Sequence, residues 1–162
     1  MKMLVLSFIL FISISAKAQN ARVDKIAESY IALKNALVAS NAILAKSRSA
    51  ELLSALSSPI TNLKPAQQKQ AAAYLEKLKF DSRHISQTTE IDRQREHFES
   101  LSKNLYTLFS GLKLNSHTLY QQYCPMKKAS WLSETEEIRN PYYGDDMLEC
   151  GKITATLNSV GK

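Results

Sequence analysis

DRQREHFESLSKNLYTLFSGL, residues 92–112, carries Phe98, Leu101, Leu105, Leu108 and Phe109 at helical intervals, with charged and polar side chains between them. That rhythm gathers the apolar residues on one face of a helix and predicts that the face is buried. The same pattern recurs upstream. Ile26, Tyr30, Leu33 and Leu37 mark a first helix over about 23–39. Ser40-Asn41 then breaks the run, because both side chains compete with the helix backbone and favour caps. Ile43, Leu44, Leu52, Leu53 and Leu56 mark a second helix, ended by Ser57-Ser58-Pro59. Pro65 suits the first turn of a third, which carries Ala72, Leu75 and Leu78 and runs to about Thr88. No glycine precedes Gly111. Short links between amphipathic helices predict a mainly α fold, an antiparallel bundle of about four helices.

The text changes beyond Gly111. The only Trp, five of the eight Gly and Pro residues and both Cys fall after Asn115. Helical periodicity is lost there, and turn signals appear at Asn140-Pro141 and Tyr143-Gly144. Residues 145–150 suit one helical turn, capped by Asp145 and ended by Gly151. ITATL, 153–157, alternates like a strand. The expectation is an irregular C-terminal module over 115–162, containing short strands and pinned to the bundle by Trp131, Tyr142 and Tyr143. The acidic run Glu134 to Glu137 reads as a helix start or a solvated loop.

The first residues read as an export signal. Lys2 is followed by the apolar run LVLSFILFISIS (4–15) and then by Ala16-Lys17-Ala18. A charged start, a short apolar middle and a small-residue A-x-A site form a cleavable signal peptide. The run is shorter than the ~20 residues that cross a bilayer, so no membrane anchor is expected after cleavage. The domain plan is therefore 1–18 as signal peptide and 19–162 as a single helical domain, destined for the periplasm. Without Lys2 and Lys17, 19 basic residues face 15 acidic ones, a net charge of +4. The charges are scattered, and the dense basic patch of a nucleic-acid binder is missing.

Cleavage would also leave all the sulfur in one stretch: Cys124, Met126, Met147 and Cys150. In Cys124-Pro125-Met126 the proline stiffens the backbone between two sulfur side chains. In Met147-Leu148-Glu149-Cys150 a helical turn would put the first and last on one face. Two thiolates with two thioethers form a soft donor set that selects Cu(I). Oxidised, the same cysteines would close a disulfide loop worth roughly 3–4 kcal/mol. Both states stay open at this point. Among the histidines, His97 in QREHF is the foremost further ligand. His84 and His117 have no assigned role. No nucleophile elbow, phosphate loop or zincin motif occurs, and a spacing of 26 positions is not the C-x-x-C of a thiol oxidoreductase. The expectation is a protein that is not an enzyme.

YCPM (123–126) and WLSETEEIRNPYYGDDMLECG (131–151) resemble a family of periplasmic domains of unknown function from Gram-negative bacteria. These domains occur alone after a signal peptide or fused to heavy-metal efflux adaptor proteins of the copper/silver type. YIALKNALVASN (30–41) and QREHFESLSKNL (94–105) extend the resemblance back through the helices. In relatives the stretch between C-P-M and W-L-S is longer; here it is only Lys127 to Ser130. The resemblance implies soft-metal handling in the periplasm, with Cys124, Met126, Met147, Cys150 and His97 as metal ligands, Cu(I) as the ion and an efflux adaptor as partner. The alternative is a disulfide-stapled interaction module of the cell envelope without metal.

Overall fold

The computed structural model of the chain describes residues 21–61 and 63–159, so the signal-peptide expectation lies outside the described residues. Four helices follow one another: α1 over 21–38, α2 Ala42–Leu56, α3 Pro65–Gln87 and α4 Ile91–Leu112. A three-stranded sheet follows, with β1 Leu119–Cys124, β2 Ala129–Ser133 and β3 Lys152–Leu157. The fold is mainly α, as the helical periodicity predicts. None of the described helices is long and apolar enough to cross a membrane.

The helix ends follow from local chemistry. Asn41 breaks the chain after α1, and its Oδ1 accepts from the Leu44 amide at 2.9 Å, capping α2. Pro65 opens α3, where the Gln67 side chain accepts from the Lys64 amide at 3.1 Å. Gln94 is fully buried, and its Nε2 donates to the carbonyls of Ala42 and Thr88, both at 2.9 Å. One amide thus ties the start of α2 to the end of α3. The left-handed residue that ends α4 is Lys113, at φ 51°, not the glycine two positions earlier.

The stripes of α1 and α4 meet as expected, whereas Ile43 (75 % exposed) and Leu44 (38 %) of α2 and Ala72 of α3 face solvent, because α2 buries Ala45, Leu52 and Leu56 and α3 buries Ala71, Leu75 and Leu78 instead. Ile26, Tyr30, Leu33 and Leu37 of α1 and Phe98, Leu101, Leu105, Leu108 and Phe109 of α4 are all buried. Tyr30 stacks on Phe98 with centroids 5.3 Å apart. Its hydroxyl pairs with Ser102 Oγ at 2.7 Å and accepts from the Leu132 amide at 3.1 Å. A single phenol therefore joins α1, α4 and β2.

The C-terminal module is more regular than its sequence suggests. The strand order is β2-β1-β3, antiparallel throughout, with an irregularity in the β1–β3 register between Gln121 and Gln122. β2 packs on α4. Trp131 and Tyr142 are buried and Tyr143 partly so, which makes these aromatics the pin between module and bundle. The turn expected over 145–150 is instead a 3-10 turn at Gly144–Met147, with Tyr143 rather than Asp145 at its cap. The reason is Gly144, whose positive φ of 56° starts the turn early. The acidic run is an exposed loop. Its carbonyls at Thr135, Glu136 and Glu137 accept from the buried Gln122 side chain.

Candidate thiol site

β1 ends at Cys124, and a four-residue turn leads into Ala129, its cross-strand partner. Lys128 takes φ 57° in that turn, and its amide donates to the Cys124 carbonyl at 2.8 Å. Cys150 lies on the second turn of the module, just before β3. The Cys150 amide closes that turn on the Met147 carbonyl at 3.1 Å. The two turns bring Cys124 Sγ and Cys150 Sγ to 3.4 Å. A covalent bridge is ~2.05 Å long, so these are two free thiols in contact. Cys124 is fully buried, whereas Cys150 is partly exposed.

The loop that carries Cys150 is stitched by Asn140. This buried residue uses every polar group it has. Its amide donates to the Leu148 carbonyl at 2.8 Å, and its carbonyl accepts from the Gly144 amide at 3.0 Å. Its Nδ2 donates to the Cys150 carbonyl and its Oδ1 accepts from the Tyr142 amide, both at 2.9 Å. Tyr142 in turn packs against Phe98 and Trp131 and donates to the Ser130 carbonyl at 2.6 Å. Arg95 of α4 then fastens the loop to the helices. Its guanidinium donates to the carbonyls of Pro141 (2.9 Å) and Leu37 (3.3 Å) and to Ser40 Oγ (2.9 Å). Those last two acceptors belong to the C-terminal end of α1, where positive charge is favoured.

The surroundings split the two thiols electrically. Burial opposes ionisation of Cys124. Against it, the Lys127 amide, the Cys150 thiol, the Asn140 side chain and the Met126 amide all donate toward Cys124 Sγ, and together they bring its pKa below the ordinary thiol value. Cys150 shifts the other way. Its proton is held by the hydrogen bond to Cys124, with burial and the negative charge of Cys124 adding to the effect. The pair therefore releases its first proton more readily than an ordinary thiol and its second more reluctantly. Iodoacetamide should modify Cys150 alone in the folded chain, slowly at neutral pH and faster as pH rises. Peptide mass spectrometry checks this, and native labelling of Cys124 would contradict the burial described.

The remaining sulfur candidates flank the thiols, and the imidazole candidates fall elsewhere. Met126 is 64 % and Met147 38 % exposed. They stand on the same two turns as the cysteines, with their thioethers toward solvent. His97 makes its contacts with α3 and is not gathered with the cysteines. Its Nδ1 lies 3.3 Å from Asp81 Oδ1, and its ring stacks on His84. His117 is exposed in the turn before β1. Among the described residues no group of three or more His, Cys, Asp or Glu side chains is placed to hold a metal ion. Of the two residues that position the thiol loop, Asn140 shows in the sequence only as a turn signal beside Pro141, and Arg95 shows no signal of its own.

A family model described as "Protein of unknown function (DUF3347)" matches residues 26–117, more than half of the chain. The chain belongs to the DUF3347 family. The matched segment runs from α1 through α4 and stops just before β1, so it covers the helical scaffold of this DUF3347 protein and not its thiol pair. No curated protein and no solved structure matches the chain.

Proposed function

We propose that this DUF3347 protein works in the periplasm as a soft-metal binder, holding Cu(I) between Cys124 and Cys150 for sequestration or for delivery to an efflux adaptor, and that it is not an enzyme. The observation that supports this reading is the 3.4 Å contact of two free thiols, one of them ringed by hydrogen-bond donors. Donors aimed at a sulfur stabilise its thiolate, the form that binds metal.

The donor set fits the ion. A metal bonded at ~2.3 Å to two sulfurs holds them roughly 3.8–4.6 Å apart. From their 3.4 Å contact the thiols need to part by about 0.4–1.2 Å, and the exposed Cys150 turn can supply that movement. Met126 and Met147 are thioethers on the two flanking turns, suited to a third ligand or a hand-over step. Copper so held would sit in a centre of net charge −1, one Cu(I) against two thiolates, exposed on the Cys150 side, where a partner could take it by ligand exchange. The signal peptide and the resemblance to domains fused to efflux adaptors support the compartment and the partner.

The same contact supports a second reading, in which the cysteines oxidise to a disulfide and the loop docks on an envelope protein. Anaerobic titration of the reduced chain with Cu(I) against a competing chelator, after counting thiols, separates the two. Two free thiols and tight one-to-one binding are expected. Two free thiols without Cu(I) binding would overturn the proposal, and a purified chain with no free thiol would favour the disulfide module.

A further inference from the structure

Away from the thiols, the outer seam of α3 and α4 carries a second group of ligand-type side chains. We infer that His84 and His97 form a separate site of two nitrogen donors, suited to a borderline divalent cation such as Cu(II) or Zn(II). The tautomers decide which atoms are free. His84 Nδ1 lies 2.8 Å from the Phe80 carbonyl, which can only accept, so that nitrogen carries the proton. His97 Nδ1 faces Asp81 Oδ1 at 3.3 Å, and a carboxylate likewise only accepts. Both neutral rings are therefore left with a bare lone pair on Nε2, the atom that binds metal.

Asp81 takes the role of orienter. It is buried, and its second oxygen accepts from Ser100 Oγ at 2.5 Å. Both carboxylate oxygens are thus occupied, one of them in holding the His97 ring. A carboxylate behind a ligating imidazole fixes the tautomer and raises basicity. The two rings are also at a workable distance. Their centroids lie 4.7 Å apart and the planes differ by 27°. In this stacked arrangement the Nε2 lone pairs lie in nearly parallel planes, so one imidazole turns about its side-chain bonds to bring both onto one ion at ~2.0–2.1 Å. Both rings are partly exposed, so water completes the coordination, and the metal would exchange readily. Phe80, 54 % exposed, packs beside both rings, with centroids 4.2 Å from His84 and 6.1 Å from His97.

The donors are nitrogen where the thiol pair is sulfur, so the two sites differ in the oxidation state of copper they favour. The test uses the full chain carrying Cys150→Ser, which removes the thiol pair, titrated with Cu(II) and followed by electron paramagnetic resonance. One Cu(II) with superhyperfine splitting from two nitrogens is expected. His84→Ala and His97→Ala should each weaken binding at least tenfold and remove one nitrogen from the spectrum. Asp81→Asn should weaken binding while keeping both nitrogens, which a merely structural Asp81 would not do. Circular dichroism establishes that each variant is helical. An unchanged spectrum and affinity in both histidine variants would overturn the site, as would absence of Cu(II) binding in the folded parent. Neither result bears on Cu(I) at the thiols.

Discussion

Cys150→Ser is expected to abolish Cu(I) binding, lowering affinity by roughly a thousandfold or more, about 4 kcal/mol, while the fold stays intact. A hydroxyl is a hard, protonated donor at neutral pH and does not replace a soft thiolate. One thiolate with two solvent-exposed thioethers is then all that remains. The position itself tolerates the change, because Cys150 is only partly buried and surface substitutions usually shift stability by within ~0.5 kcal/mol. Cys124→Ser should lose copper to the same extent but also lose stability, by about 1–3 kcal/mol, since its hydroxyl would be buried. Competition titration and urea denaturation of both variants read the two effects separately. Parent-like copper affinity in Cys150→Ser would place the metal elsewhere.

Gly144→Ala should destabilise the chain by about 2–4 kcal/mol, the sum of left-handed backbone strain and overpacking. Gly144 sits at φ +56°, where a Cβ crowds the backbone. An added Cβ would stand 2.4 Å from Ser40 Oγ, 2.9 Å from the Val38 carbonyl and 3.0 Å from Arg95 Nη2. Ser40 could rotate away. The carbonyl at the end of α1 could not, and shifting Arg95 would break its bonds to Pro141 and Leu37. The damage should concentrate in the loop that carries Cys150, so alkylation of that thiol should quicken as well. Denaturation midpoints and labelling rates measure the two, and a variant as stable as the parent would refute the close approach of loop and helix corner.

The helices were legible because their causes are local. A chain without glycine up to residue 110, with apolar residues every three or four positions, has little else to do. β1 was harder to read. LYQQYC puts two glutamines in mid-strand, and Gln122 is buried only because three carbonyls of a loop more than ten residues away accept from it. Nothing near it in sequence announces that loop. The thiol pair was legible through residue type, as two cysteines set among the last four sulfurs. The placement of His97 was not. Periodicity says which residues share a face but not which neighbour covers each face. Phe98 points at Tyr30 and Tyr142, and the residue before it, about 100° around the helix, meets α3 instead. Arg95, three positions before Phe98, lies on the sheet side by the same geometry, yet as one charged residue among many it carried no mark.

Among the described residues the sheet stops at β3, which offers a row of unpaired backbone donors and acceptors, the usual seed for strand-on-strand aggregation. This edge is poorly suited to grow. It is six residues long, begins at Lys152 and exposes Thr154 and Thr156, with Ile153 as its one large apolar exposed side chain. The slip in register between Gln121 and Gln122 adds local twist, which spoils the flat template that a second molecule would need. A protein whose thiols sit at the head of that strand is thereby protected from stacking into fibres that would bury them.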